Sequence, residues 1–552
     1  MVSEASGGEA QDYSGGAVAR AAAGVMAATL VSKLLGFGRE AALAAVFGAS
    51  AVTDAYLVAA VIPTMLFGVV SAAITTVGIP VLSEYLHREE KRPQLPALIW
   101  TGFHAVLAVL LVLCLIVEPL APWLVRLLAP GFGPEQARLT VSLVRIMLPA
   151  IVFMGLAGWA QGVLNTYRHF LVPAAVGIPY NIVLIAAIFL SGAFWGIAGV
   201  AWATVLAIAS QFLVQAPVMR RLGIRYAPAF DLRHPGLRKM AVLVLPVLVG
   251  VGAGQLNLVV DRILASGLPE GSISALNYAL KVIQIPQGLL ALPLITVIYP
   301  LLAERAVAED LEGLRERVAR GLAALAFLVV PVGVGLILLR HEIVAFLFQR
   351  GAFDAADARM TAFALLFYAL GLVFLVWRDW LARTFYALQD TATPVFTGLA
   401  AVAANIALNL ILVRYLAHGG LALATSAAAL VNCVAMLVLL RRRLGRLGGR
   451  YFLPETAKVA AAALVMGAVV GWLNRSAFAA PASAPASGGL AAFAALGLRI
   501  LALGGVGGAV YAGACRLLRV REMAYLRAAL FEIRRGAPLR KTPALKVRAG
   551  RR

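Results

Sequence analysis

Ser32-Lys33-Leu34-Leu35-Gly36-Phe37-Gly38-Arg39-Glu40 is the stretch from which this chain is read. It sets three ionisable residues inside a segment, about 17–47, whose other residues suit a membrane helix. A charge at the bilayer centre costs roughly 2.5–3.5 kcal/mol on insertion scales, so such residues face a bundle interior or water. Gly36 and Gly38 weaken the helix beside them. The stretch therefore predicts a polar, water-filled cavity within the membrane, with Lys33 and Arg39 in its wall.

The rest of the chain agrees with a membrane setting. Of its 552 residues 62% are hydrophobic and 13% charged, where a soluble domain averages about 45–50% and 25%. Apolar runs exceed the ~20 residues that span hydrocarbon, and they lack the short alternating pattern of a barrel. The expected fold is an all-α polytopic membrane protein. The net charge of +22 would suggest nucleic acid in a soluble protein. Here it reads as basic cytoplasmic loops meeting anionic membrane lipids, with no nucleic-acid partner. Cys114, Cys433 and Cys515 stand far apart in apolar segments, with neither metal nor disulfide spacing. Residues 1–16 lack the basic start of a signal peptide and read as a disordered cytoplasmic tail.

Hydropathy gives about fourteen transmembrane helices. Alternate loops are basic (87–92, Arg168, 220–239, 441–450), and the intervening ones carry few or no basic residues. An even count with both termini cytoplasmic satisfies this pattern. The organisation expected is a tail (1–16), an N-terminal lobe of six helices (17–219), a basic loop (220–236), a C-terminal lobe of six (237–441), two extra helices (442–517) and a basic tail (518–552). Stretches 119–130 and 341–351 look amphipathic and interfacial.

The lobes repeat each other. Thr53-Asp54-Ala55-Tyr56, Ile62-Pro63 and Ile79-Pro80 are answered by Leu276-Asn277-Tyr278-Ala279, Ile285-Pro286 and Tyr299-Pro300. Tyr167-Arg168 with Pro173 is answered by Leu388-Gln389 with Pro394. Parallel repeats of this kind build transporters.

No phosphate-binding GxxxxGK[ST] loop, HExxH or GxSxG elbow is present, so no enzyme is read. Chemistry falls to the charges within spans. In a two-lobed bundle Lys33, Arg39 and Lys281, with Glu40 and Asp54 beside them, form a cationic cluster suited to a phosphate or pyrophosphate. The alternative is internal neutralisation, Arg39 by Asp54 and Arg262 by Asp261. Arg378, Asp379 and Arg383 either join the cavity or snorkel to the interface. Asp261, Asn405, Asn409 and Thr425 offer one carboxylate plus amide and hydroxyl oxygens. That set suits Na⁺, or a proton at Asp261, or interhelical hydrogen bonding alone.

On these residues the chain resembles the lipid II flippase family, MurJ or MviN, of the multidrug/oligosaccharidyl-lipid/polysaccharide exporters. The matching stretches are Ser32–Glu40, Val46-Phe47-Gly48-Ala49, Thr53-Asp54-Ala55-Tyr56, Ala129-Pro130-Gly131-Phe132, Leu164-Asn165-Thr166, Phe348-Gln349-Arg350-Gly351-Ala352-Phe353 and Phe385–Asp390 with Thr393-Pro394. The resemblance implies two lobes, a central cavity and alternating access that exports the lipid-linked peptidoglycan precursor across a bacterial cytoplasmic membrane. It also implies essential basic residues at Lys33, Arg39 and Lys281, and a sodium site at Asp261, Asn405, Asn409 and Thr425. No cofactor is expected beyond Na⁺ or H⁺ as coupling ion, and the cell-wall synthesis machinery is the expected protein partner. Lys33 and Lys281 stand where the family has Arg, and Phe67-Gly68 where it has an Arg pair. These departures keep open export of another lipid-linked oligosaccharide, or cation-coupled drug antiport.

Overall fold

A computed structural model describes residues 15–445, 449–476 and 490–523. Most of the expected tails, 1–16 and 518–552, and of the loop 474–489 lies outside the described residues. Within them there is no strand, and the chain packs as two units, residues 1–274 with 350–354, and 275–349 with 355–552.

The first unit holds α1 (Gly15–Phe47), α2 (Ala51–Ala73), α3 (Ile79–His87), α4 (Leu95–Leu128), α5 (Pro134–Met147), α6 (Pro149–Thr166), α7 (Leu171–Ala175), α8 (Gly177–Phe194), α9 (Gly196–Arg221) and α10 (Pro235–Ser266). The second holds α11 (Ser272–Pro286, from residue 275), α12 (Leu292–Val307), α13 (Leu311–Leu338), α14 (Arg340–Phe348), α15 (Ala355–Ala387), α16 (Ala392–Leu444), α17 (Gly449–Ser476) and α18 (Leu490–Leu517). α10 packs on α2 and α4 of the first unit.

Among the described residues ten helices are long and apolar enough to cross a membrane, fewer than the fourteen expected. Three features account for much of the difference. α1 carries the three charges of its signature stretch. α16, at 53 residues, runs through a non-helical residue, Ala417 (φ 47°, ψ −129°), and holds two of the expected spans. The expected helix 52–86 is not continuous: a π-helical turn, Ile74–Gly78, separates α2 from α3. A second π turn, Gln287–Ala291, separates α11 from α12, but it starts one residue past Pro286 whereas Ile74 lies eleven past Pro63, so the two turns stand out of the register of the sequence repeat. The repeat does have a backbone counterpart at Arg168 and Gln389, both left-handed at φ 58° after α6 and α15. Stretch 119–130 is no separate interfacial helix; most of it continues α4, with Pro119 and Pro122 inside.

Small residues set the packing, as they do where no hydrophobic drive brings membrane helices together. In the first unit a Cβ at Gly177 would sit 2.0 Å from Ser32 Oγ, so α1 and α8 lie in close contact. In the second, Gly321 admits the fully buried ring of Trp380, whose Nε1 donates to Val318 O at 3.2 Å. α17 and α18 join α13 through Phe327, Val459, Met466, Leu503 and Tyr511.

Candidate functional site

In the first unit the signature stretch builds a polar cluster on α1. The Arg39 guanidinium donates to Glu40 Oε1 at 2.5 Å and to Asn181 Oδ1 at 3.4 Å, and lies 5.3 Å from the Tyr180 ring centroid. Glu40 is buried, and the Arg39 side chain keeps 20% of its exposure. Asn181 is the organising partner. Its Nδ2 donates to Ser32 O of α1 (3.1 Å) and to Gly177 O of its own helix (2.7 Å). Gly36 faces that amide, and a Cβ on it would stand 3.6 Å away, an ordinary contact. Chemically this is a positive group half neutralised by a neighbour, oriented by an amide and a ring face, with donors still free for an anion. Lys33, two turns earlier on α1, is exposed.

Asp54 does not join this cluster. It is buried, and both its oxygens close the start of α11. Oδ2 accepts from Gly271 N at 2.8 Å; Oδ1 accepts from Ser274 N at 2.7 Å and Ser274 Oγ at 2.5 Å. A carboxylate there satisfies amides that a helix start leaves open. In this structure both Asp54 oxygens are engaged in this cap. Two backbone contacts lie nearby. Gly271 (φ +82°) and Gly351 (φ +61°) would each place a Cβ 2.1 Å from a carbonyl oxygen, of Ala49 and Ala45 respectively. Ala352 N donates to Ala45 O at 2.8 Å.

Asp261, on α10, is half-buried and accepts from Asn257 Nδ2 at 3.5 Å. The remaining expected residues belong to the second unit. Lys281 is half-buried on α11. Asn409 Nδ2 donates to Asn405 Oδ1 at 2.7 Å, both residues being buried, and Asn405 Nδ2 is a buried amide with no hydrogen-bond partner among the described residues. Thr425 Oγ1 donates to Leu421 O at 3.1 Å, which leaves its lone pairs available. The donor types fit a hard cation such as Na⁺. The unit-2 members carry no charge, and no group of three or more His, Cys, Asp or Glu is gathered among the described residues. Arg378 donates twice to Asp379 Oδ1 (3.0 and 2.8 Å), both being about one third exposed, and Arg383 lies over Tyr299.

Sequence reading missed Tyr180 and Asn181, though a lone amide in an apolar span is itself a signal. It also missed a buried network in the second unit. Asn474 Nδ2 donates to Glu342 Oε1 (2.8 Å), and Arg499 donates to Asn474 Oδ1 (2.8 Å) and to Glu342 Oε1 (3.4 Å), tying α14 to α17 and α18.

A multi-pass helical chain with broken spans and an arginine caged within an apolar helix bundle has the form of a transporter of the exporter superfamily named above. A multidrug transporter of the MATE family in an inward-facing conformation shares the fold (TM-score 0.62, 15% identity, 75% of this chain and 95% of that one). Residues 43–483 match the family described as lipid II flippase MurJ. The lipid II flippase MurJ of Burkholderia cenocepacia is 32% identical over 454 residues, 80% of this chain and 88% of its own. A probable lipid II flippase MurJ of Vibrio cholerae is 31% identical over 466 residues, 81% and 87% of the two chains. A solved lipid II flippase MurJ in an inward closed conformation matches at TM-score 0.74 and 25% identity, over 89% of this chain and 98% of that one. The chain belongs to the MurJ lipid II flippase family.

Proposed function

We propose that this protein moves a lipid-linked peptidoglycan precursor, lipid II, from the inner to the outer leaflet of a bacterial cytoplasmic membrane. Both termini are cytoplasmic in this reading, as the alternation of basic loops supports. The observation that carries the proposal is Arg39: a guanidinium inside an apolar helix, held by Glu40, Asn181 and Tyr180 and still partly exposed. A buried cation this well oriented suits a diphosphate, whose oxygens accept its free donors. Lys33 and Lys281 are its further positive contacts. The lipid tail stays in hydrocarbon while the polar head crosses by alternating access.

The driving force is assigned to the membrane potential or an ion gradient, at about 2.3 kcal/mol per charge per 100 mV. Asp261 is the coupling residue proposed, with Asn405, Asn409 and Thr425 as candidate oxygen donors for Na⁺.

The test is complementation of a bacterium depleted of its own flippase, scored by lipid II translocation. Wild type restores growth; Arg39→Ala does not. Full activity of Arg39→Ala at normal protein level would remove the proposal.

A further inference from the structure

In the second unit the chain does not run straight on from α18. Arg519 takes a left-handed turn (φ 52°), and Val520 N returns to Cys515 O at 2.9 Å. Residues 520–523 then lie back on the start of α17. Val520 and Met523 are buried in the cluster that holds Val459 and Met466. Arg521 N donates to Glu455 Oε2 at 3.1 Å, and the Arg521 guanidinium sits 5.2 Å from the Tyr451 ring centroid. Tyr451 OH donates to Glu522 Oε1 at 3.0 Å. Cys515, next to Tyr511 and Glu522, is fully buried.

This turn buries two carboxyl groups that are served unequally. Glu455, 3% exposed, has Lys458 Nζ at 2.8 Å and Arg521 Nε at 3.7 Å besides the Arg521 amide. Glu522, 7% exposed, has the Tyr451 hydroxyl on Oε1, while Oε2 is buried with no hydrogen-bond partner among the described residues. The titratable and charged groups around it are Tyr451, Glu455 and Lys458 of α17, Tyr511 and Cys515 of α18, and Arg521 beside it. Both cations pair with Glu455. An ionised Glu522 would leave a bare buried oxygen next to a second carboxylate, which is costly. A protonated Glu522 carries no charge, and its Oε1 still accepts from Tyr451. Burial, and after it Glu455, accordingly raise this carboxyl above its usual range; its own backbone N–H, Tyr451 and Arg521 oppose the rise without reversing it.

We propose that Glu522 is a proton-operated latch: protonated, it keeps the turn after α18 seated on α17, and ionised, it draws water and the turn lifts off. Under the orientation proposed above the latch reads cytoplasmic pH, at the point where the basic segment 524–552 begins. The sign follows from the raised carboxyl. Docking is strongest below the unfolded value of about 4.3 and weakens as pH rises through the folded one. One proton changes the docking equilibrium by at most about tenfold per pH unit.

The test uses the purified full chain in detergent with Cys114→Ser and Cys433→Ser, which leaves Cys515 as its one thiol. Labelling by N-ethylmaleimide is followed by mass spectrometry from pH 5.5 to pH 8.5. Each rate is divided by that of the same chain carrying Glu522→Gln, a neutral isostere, so that the ionisation of the thiol itself cancels. The ratio should stand near one at the acid end and rise by about tenfold or more toward pH 8.5. Where Cys515 stays covered by α17 after the turn lifts, Met523→Cys in a chain with all three native cysteines changed to Ser reports the turn itself. A rise at either position supports the latch, and a ratio flat across the range at both overturns it. The readout needs no translocation, so it stands or falls apart from the flippase reading.

Discussion

Asp54 and Ser274 are joined twice, the carboxylate taking both the backbone N–H and the hydroxyl of the serine, with Gly271 N on its other oxygen. A carboxylate of α2 thus stands in for the cap that α11 lacks in its own sequence. Side-chain caps contribute about 1 kcal/mol, and charge-assisted ones roughly twice that. Asp54→Ala should lower stability by about 2 kcal/mol, and Asp54→Asn by less. Thermal melts of the purified variants decide it; an unchanged midpoint for Asp54→Ala would reject the cap.

Gly351 holds a left-handed backbone directly above Ala45 O. Alanine at 351 meets both the φ penalty and a carbonyl oxygen, for about 1–3 kcal/mol. Gly351→Ala should melt lower and complement poorly, whereas Gly133→Ala, with open space around its Cβ, should behave as wild type.

Asn181 orients Arg39 and pins α1 to α8. Asn181→Leu keeps the volume and removes the acceptor. A hydrogen bond to a charged group is worth about 1.5–3 kcal/mol, so translocation should fall roughly ten- to hundredfold. Equal rates in wild type and Asn181→Leu would show that the amide serves packing alone.

Glu342 and Arg499 form a buried ion pair through Asn474. Removing one partner strands a charge, at about 3–5 kcal/mol, while removing both does not. Arg499→Leu should destabilise strongly, and Glu342→Leu with Arg499→Leu should recover much of the loss in a double-mutant cycle.

Asp390, in the turn before α16, accepts from Thr393 N and Oγ1 and from Arg443. The Thr393 backbone bond, then its hydroxyl, hold the carboxyl below its usual range. A lowered folded value gives stability present above the unfolded pKa of about 3.9 and lost as pH falls through the folded one. Asp390→Asn should therefore melt below wild type at pH 7, and the two should converge below about pH 4.

The helical class and the internal repeat were legible because hydrophobic length and the spacing of prolines are local signals. Arg39 was legible because a charge in an apolar run stands out. Its partners Tyr180 and Asn181 were not, since they come from a helix over a hundred residues away. The cap made by Asp54 was not legible for a related reason. Sequence marks a buried carboxylate as expensive, yet an open helix start satisfies it as well as a counter-charge does, and no local pattern ties Asp54 to Ser274. The π turns left no trace in hydropathy, because they alter hydrogen-bond register without altering composition.

Those wide turns, Ile74–Gly78 and Gln287–Ala291, bear on how a carrier can move at all. An unbroken rod passes any rotation at one end straight to the other. A rod with slack in its middle can twist on one side of the slack while the other side stays seated, and each unit carries one such turn.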